Sequence, residues 1–388
     1  AADEEIQATR GRANMLRGAM SGDLPEDPTD DEFANEVLDL CIGCKGCSKD
    51  CPSEVDMAKL KAEVAHARHQ EHGSSLRDRL FASIETLAPI GSTLAPIANA
   101  LPNLPGASWA MEKTVGIASE RDLPRFRSES LIDWFEARGG AAVPVEEAAH
   151  RVLLLPDVYT PYMHPAAGKA AIRVLEAADC HVAIPDGDGS GRPAYSKGFI
   201  DRARETARAT VDELDPYLED GWSVVSVEPS DAVMLQSDYL DILGSDDESV
   251  VRVAENAYGV CEFIDVLRLD EDLPLEAPAE SLVYHGHCHQ KSTTKDHHAV
   301  GVLRRAGYAV DPLDSTCCGM AGSFGYEAEH LSMSESIGGI LAEQVGDSSG
   351  ETVVAPGASC RSQLDHLEVE TDGEPPHPIE KVANALEK

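Results

Sequence analysis

Apolar residues recur at two different periods along this chain, and the change of period divides it. From Thr9 to Ser21 the positions Ala13, Leu16 and Met20 keep helical spacing and the pattern stops at Gly22, which predicts a helix. Thr29, with Glu32 three residues later, makes a capping box before Phe33, Val37 and Leu38. A second helix therefore delivers the chain to Cys41. Ser53 caps a third, with Val55, Leu60 and Val64 on one face and an end near Gly73. In residues 74–140 an apolar stretch, APIGSTLAPIANALPNLPG, is cut into short pieces by Pro89, Pro96, Pro102 and Pro105. It reads as a helical, proline-rich connector packed along its own domains, with docking to a partner or a membrane surface as the alternative.

After Gly139-Gly140 the pattern becomes that of an α/β domain. Strands are expected at Arg151 to Pro156, His181 to Pro185 and Ser223 to Val227, with helices at Ala166 to Ala178 and Tyr195 to Tyr217. The same order then recurs: strands at Ser281 to Tyr284, around Val310 and at Thr352 to Ala355, with helices through Val302 to Arg305 and from Glu329 to Val345. The repeat extends to residues. Leu175 to Gly191 aligns without gaps to Leu303 to Gly319 at an offset of 128, setting Gly189, Ser190 and Gly191 on Cys317, Cys318 and Gly319. Asp231 falls on Cys360, and Val158 on Cys288. Two homologous α/β units in one pseudo-symmetric domain account for this. The domains expected are thus 1–73 (helical, holding the first cysteine group), 74–140 (connector), 141–275 (first α/β repeat) and 276–388 (second α/β repeat).

Charge narrows the partners. Of 388 residues, 69 are acidic and 32 basic, a net charge of −37, with the acids scattered along the chain. Such a balance repels nucleic acid and excludes phosphate-backbone binding. Acid spread over a folded surface is the composition of a protein kept soluble in concentrated salt, so a halophilic source is expected. No apolar run is long enough to span a membrane. The ten cysteines, eight of them in two groups, point to metal binding in a reducing, cytoplasmic compartment, with contact at the inner face of the cell membrane left open.

The first group is Cys41-Ile42-Gly43-Cys44-Lys45-Gly46-Cys47-Ser48-Lys49-Asp50-Cys51-Pro52. This is the CxxCxxCxxxCP spacing by which thiolates hold a [4Fe-4S] cluster. A zinc knot is the alternative, but zinc sites usually pair two short hooks across a longer gap. The second group is dispersed: Cys288, Cys317, Cys318 and Cys360 each follow an expected strand, and loops at one end of a sheet converge. An iron-sulfur centre or a zinc is the natural occupant. His285, His287 and His289 crowd Cys288 as ligands, orienting donors or plain backbone partners. The first repeat, with Val158, Gly189, Ser190 and Asp231, has lost the thiols and reads as a scaffold or a binding face. Cys180 and Cys261 read as buried structural residues. Two further readings remain open here: a thiol-disulfide enzyme using Cys317 and Cys318, and a zinc-stapled binding protein.

The segments TRGRANMLRGAMSG, CIGCKGCSKDCPSEVDMAKLKAE, GRPAYSKG, HGHCHQK, CCGMAGSFGYEAEH and ASCRSQL resemble the iron-sulfur half of the FAD-linked 2-hydroxyacid dehydrogenases, which oxidise D-lactate or glycolate. The later motifs are also similar to the C subunit of anaerobic glycerol-3-phosphate dehydrogenase and the glycolate oxidase iron-sulfur subunit, and more distantly to heterodisulfide reductase. The resemblance implies an α-helical ferredoxin module followed by an α/β domain of two pseudo-symmetric CCG repeats. It implies an electron relay with no catalytic residue of its own, taking electrons from FAD in an upstream domain or a flavoprotein subunit and passing them to a quinone or cytochrome. The family's module carries two cysteine runs and this chain one. By that likeness Cys41, Cys44 and Cys47 share a cluster with an upstream cysteine, Cys51 serves a second, and the missing run and FAD domain precede Ala1.

Overall fold

The computed structural model describes residues 5–24, 29–30, 33–187, 189–369 and 373–386. The first helix runs Thr9–Met20 and closes at Ser21, as the spacing predicts. The Thr29/Glu32 capping box lies outside the described residues, because Glu32 is not among them; Thr29 Oγ1 donates instead to Glu71 Oε2 at 2.8 Å. The expected second helix is a single π-helical turn, Ala34–Leu38, in which Asp39 N reaches back to Ala34 O. The wider turn still buries Val37 and Leu38 against Leu16, Phe33, Cys41 and Met57. The third helix, Met57–His72, starts later than expected and is capped by Asp56, which accepts from Ala58 N and Lys59 N. Glu54 explains the shift: its φ of +52° is incompatible with a helix begun at Ser53. Gly73 ends that helix as the sequence indicates.

Between residues 74 and 140 the proline-cut stretch is more helical than its composition suggests. Helices span Leu76–Ala82, Ile84–Thr93, Ala95–Ala100, Ala107–Val115 and Leu131–Ala137, and Pro89 sits inside the second. Ala82, Ala88, Ser92 and Ala95 are buried against the rest of the chain, but Leu87, Ile90, Leu94, Ile97, Leu101, Leu104 and Trp109 are exposed. Ala82, Ala88, Ser92 and Ala95 thus pack inward, while these seven large residues face outward.

Strands β1 (His150–Leu155), β2 (Cys180–Ala183), β3 (Ser223–Ser226) and β4 (Ala257–Gly259) form one parallel sheet in the order β2-β1-β3-β4. β5 (Ser281–Tyr284), β6 (Ala309–Pro312) and β7 (Thr352–Val354) form a second, in the order β6-β5-β7. The first three strands of each unit thus share one order. In β1, Val152 and Leu154 enter one core and Leu153 and Leu155 another, so the period of two sends apolar side chains to both faces. Leu282 and Tyr284 of β5 join the core of Val152 and Leu154, through helices Pro165–Ala177, Val260–Val266, His297–Arg305 and Pro378–Ala385. That shared core makes one body of the two sheets. The long helix expected from Tyr195 to Tyr217 is two, Arg192–Ser196 and Ile200–Glu219, broken at Gly198 with φ +75°. A Cβ there would lie 2.5 Å from Ala65 Cβ, so the break brings the Met57–His72 helix into contact with the first sheet's unit. Among the described residues no helix is long and apolar enough to cross a membrane.

Candidate functional site

The Cys41–Cys51 loop lies between helices, as expected. Lys61, from Met57–His72, donates to the carbonyls of Cys41 at 2.7 Å and Asp39 at 3.2 Å, fixing the loop's entry. Gly46–Asp50 forms a short helix, and Cys47 Sγ accepts from Met57 N at 3.2 Å. Burial, then the neighbouring Cys288, Cys41 and Cys47 thiols, push the Cys44 thiol up to about 11. Cys51 has different surroundings. Backbone N–H groups of Val55, Ser53 and Glu54 hold its thiol below the ordinary range, favouring the anion. The structure thus groups Cys41, Cys44 and Cys47 and gives Cys51 its own nest of donors.

Strand ends bring the second group together. Cys288 opens the helix Cys288–Ser292 after β5, and Cys360 lies in Ala358–His366 after β7. Cys317 and Cys318 lie in the loop after β6 and are buried with Cys360. All four are free thiols. Contact with Cys288 and Cys318 raises the Cys317 thiol, and contact with Cys318 raises that of Cys360. Cys318, hydrogen-bonded by Cys317 and Cys360 and flanked by His285, is pulled below the ordinary thiol range. His285 Nδ1 pairs with Ser315 Oγ at 2.7 Å, leaving its Nε2 buried without an oxygen or nitrogen partner. Four thiols linked by successive contacts, three of them buried, are the donor type that a thiolate-held metal centre needs.

The two groups are neighbours. Cys44, Ile42 and Cys288 pack against the apolar cluster that contains Cys317, Cys318 and Cys360. His289 Nε2 lies 3.0 Å from Gly43 O and 3.3 Å from Arg192 Nη2. Arg192 Nη2–H and Gly43 O thus converge on one ring nitrogen, which can accept from the first or donate to the second. Burial, then the Arg192 charge, holds His289 well below the ordinary histidine range, hence neutral. Lys45, between Cys44 and Gly46, is buried and pairs with Asp238 at 2.6 Å and Asp56 at 3.0 Å, and Arg192 takes the other Asp238 oxygen at 2.6 Å.

In the first unit, Ser190 donates to Asp231 Oδ1, the two positions aligned with Cys318 and Cys360, which contact each other in the second unit. Burial raises the Asp231 carboxyl to about 7 and that of Glu228 to about 8, with the buried Asp157 adding to both. Glu228 reaches into the other unit, accepting from Ala358 N at 2.9 Å, two residues before Cys360. The sequence reading singled out neither Lys45, Arg192, Asp238 nor Glu228. Lys45 and Arg192 do lie in quoted motifs, but Asp238 and Glu228 carry no motif signal. Cys180 and Cys261 are buried in the shared core, and burial raises both thiols to about 12.

Residues 282–365 match the cysteine-rich domain family CCG. The chain is 26% identical over 351 residues to D-2-hydroxyglutarate dehydrogenase of Escherichia coli K12, covering 87% of this chain and 34% of that protein. To the C subunit of the anaerobic glycerol-3-phosphate dehydrogenase of the same organism it is 27% identical over 348 residues, covering 86% and 83%. To the glycolate oxidase iron-sulfur subunit of that strain it is 24% identical over 397 residues, covering 99% and 89%. The chain is thus homologous to components of oxidoreductases, and it spans about a third of the length of the D-2-hydroxyglutarate dehydrogenase it matches.

Proposed function

We propose that this chain is the iron-sulfur electron-transfer part of an FAD-dependent D-2-hydroxyacid dehydrogenase, carrying electrons from the flavin toward a quinone or cytochrome. The observation that carries the reading is the packing of Cys44 and Cys288 against one apolar cluster, which brings two thiol groups distant in sequence into one neighbourhood. A bound cluster would supply one-electron transfer. The chain's own residues do the rest. Cys41, Cys44 and Cys47 hold a [4Fe-4S] cluster with a cysteine from upstream, and Cys51 serves a second cluster. Cys288, Cys317, Cys318 and Cys360 hold a further iron-sulfur centre or a zinc. The apolar packing keeps water from these thiolates, and Lys61 and Met57 N fix the loop that presents them.

The common strand order of the two sheets, and the Ser190–Asp231 pair where the second unit has Cys318 and Cys360, support descent of both units from one CCG repeat. The flavin lies in an upstream domain or a separate flavoprotein. The protein works in the cytoplasm of a halophile, and its outward-facing apolar residues leave peripheral membrane contact open to test.

The test is anaerobic addition of D-2-hydroxyglutarate and of D-lactate to the purified full-length protein. Bleaching of the cluster absorbance by one of them is expected. Absence of flavin, together with no bleaching by either, sinks the reading. The coverage of 83% of the glycerol-3-phosphate dehydrogenase component favours a second reading, a separate iron-sulfur subunit. A flavoprotein that co-purifies as a distinct polypeptide and bleaches the clusters with glycerol 3-phosphate selects it.

A further inference from the structure

The first α/β unit, having lost its thiols, still sends two buried charges to the cysteine sites. Arg192 follows the Gly189-Ser190-Gly191 loop, which aligns with the Cys317-Cys318-Gly319 loop, and Asp238 ends the π-helical turn Met234–Asp238. Asp238 is fully buried and binds Arg192 with one oxygen and Lys45 with the other, both at 2.6 Å. Lys45 also meets Asp56, whose other oxygen caps the helix behind the cysteine loop. Arg192 in turn meets His289 Nε2, which also faces Gly43 O. The contacts close a circuit: Gly43, Cys44, Lys45, Asp238, Arg192, His289. Cys44 lies within it between Gly43 and Lys45, and Cys288 is bonded to its last member.

Two features argue against an incidental surface pair. Lys45 takes a left-handed φ of +57°, a strained conformation for a non-glycine residue, so the loop is held in this shape by its partners. The charges also balance, two cations against two carboxylates. A buried array is stable when each member is paired and costly when one is removed.

We propose that Asp238, with Lys45 and Arg192, is a positioning device that fixes the Cys44 loop against the Cys288 motif and so sets the separation across which electrons pass. The degenerate repeat then has a definite role, as the clamp between two electron-carrying sites. This rests on the relay reading above.

The experiment uses full-length protein carrying Asp238→Asn, Lys45→Gln or Lys45→Arg, with iron and sulfide content, EPR spectra of the reduced protein, and the rate at which the second centre is reduced through the first. Lys45→Gln leaves Asp238 paired with Arg192, so the fold is kept even if Asp238→Asn disturbs it. In the wild type, magnetic broadening between two centres is expected. Asp238→Asn and Lys45→Gln should keep both signals but weaken the broadening and slow transfer severalfold, since both fall as the centres move apart. Lys45→Arg should restore both properties. Unchanged broadening and rate in Lys45→Gln overturn the positioning role and leave the relay standing. A wild type with zinc at the second site overturns the positioning role alone, and one with no iron-sulfur signal at either site overturns both.

Discussion

His330 Nε2 lies 2.9 Å from Asp39 Oδ2, two residues before Cys41 in sequence, and its other ring nitrogen lies 3.1 Å from Glu327 Oε2. Burial opposes the imidazolium, but the hydrogen bonds and charges of Asp39 and Glu327 outweigh it and raise His330 from 6.5 to about 9. A raised histidine contributes stability that is complete below its unfolded value and disappears as pH climbs through its folded one. Denaturation midpoints should therefore hold below about pH 6.5 and fall as pH rises through about 9. His330→Gln should be less stable at neutral pH and lose this slope. A slope of equal size in the variant would assign it to other groups.

Gly319 follows the adjacent cysteines with φ +92°, and a Cβ there would lie 2.3 Å from Ser334 O. Gly319→Ala should cost about 1–3 kcal/mol in backbone strain and displace Cys317 and Cys318. Metal analysis should show loss confined to the second site. Full metal at that site would mean that the loop adapts.

Cys180 and Cys261 are core residues, so their replacement should leave iron and sulfide unchanged. Serine should destabilise more than alanine, by about 1–3 kcal/mol for a hydroxyl buried without a partner. Thermal melts of the four single variants, with metal content, check both statements. Iron lost on replacing either one would make it a ligand.

A net charge of −37 makes self-repulsion a large term that salt screens. The melting temperature should rise steeply from dilute to molar potassium chloride, most of the gain arriving before the highest concentrations. A melt independent of salt would remove the argument for a saline environment.

What the chain disclosed about itself follows the range of each interaction. The strands around Leu153 and Val283 and the helix ending at Gly73 were legible, because period and caps are local signals. The gathering of Cys288, Cys317, Cys318 and Cys360 was legible too, since each follows a strand of one parallel sheet. The start of the Met57–His72 helix was not: Ser53 is a good cap, and the left-handed turn at Glu54 that displaces it depends on the fold around Cys51. Nor was Asp238, an acid among 69 whose partners are chosen entirely by tertiary contact. The outward face of the proline-cut segment was hidden for a related reason. Ala88 and Ala95 mark the buried side, while the outward placing of Ile90 and Ile97 reflects a surface no local pattern describes.

The contacts that hold the first cysteine loop have a consequence in time. Lys45 meets Asp238 across 193 residues, and Gly43 meets His289 across 246. The loop leaves the ribosome before the residues that shape it, which follow 193 and 246 residues later. Until then its thiols belong to an unfinished site, open to oxidation and to the wrong metal. Loading must therefore follow translation through His289, and a cell making this protein must shield those thiols until then.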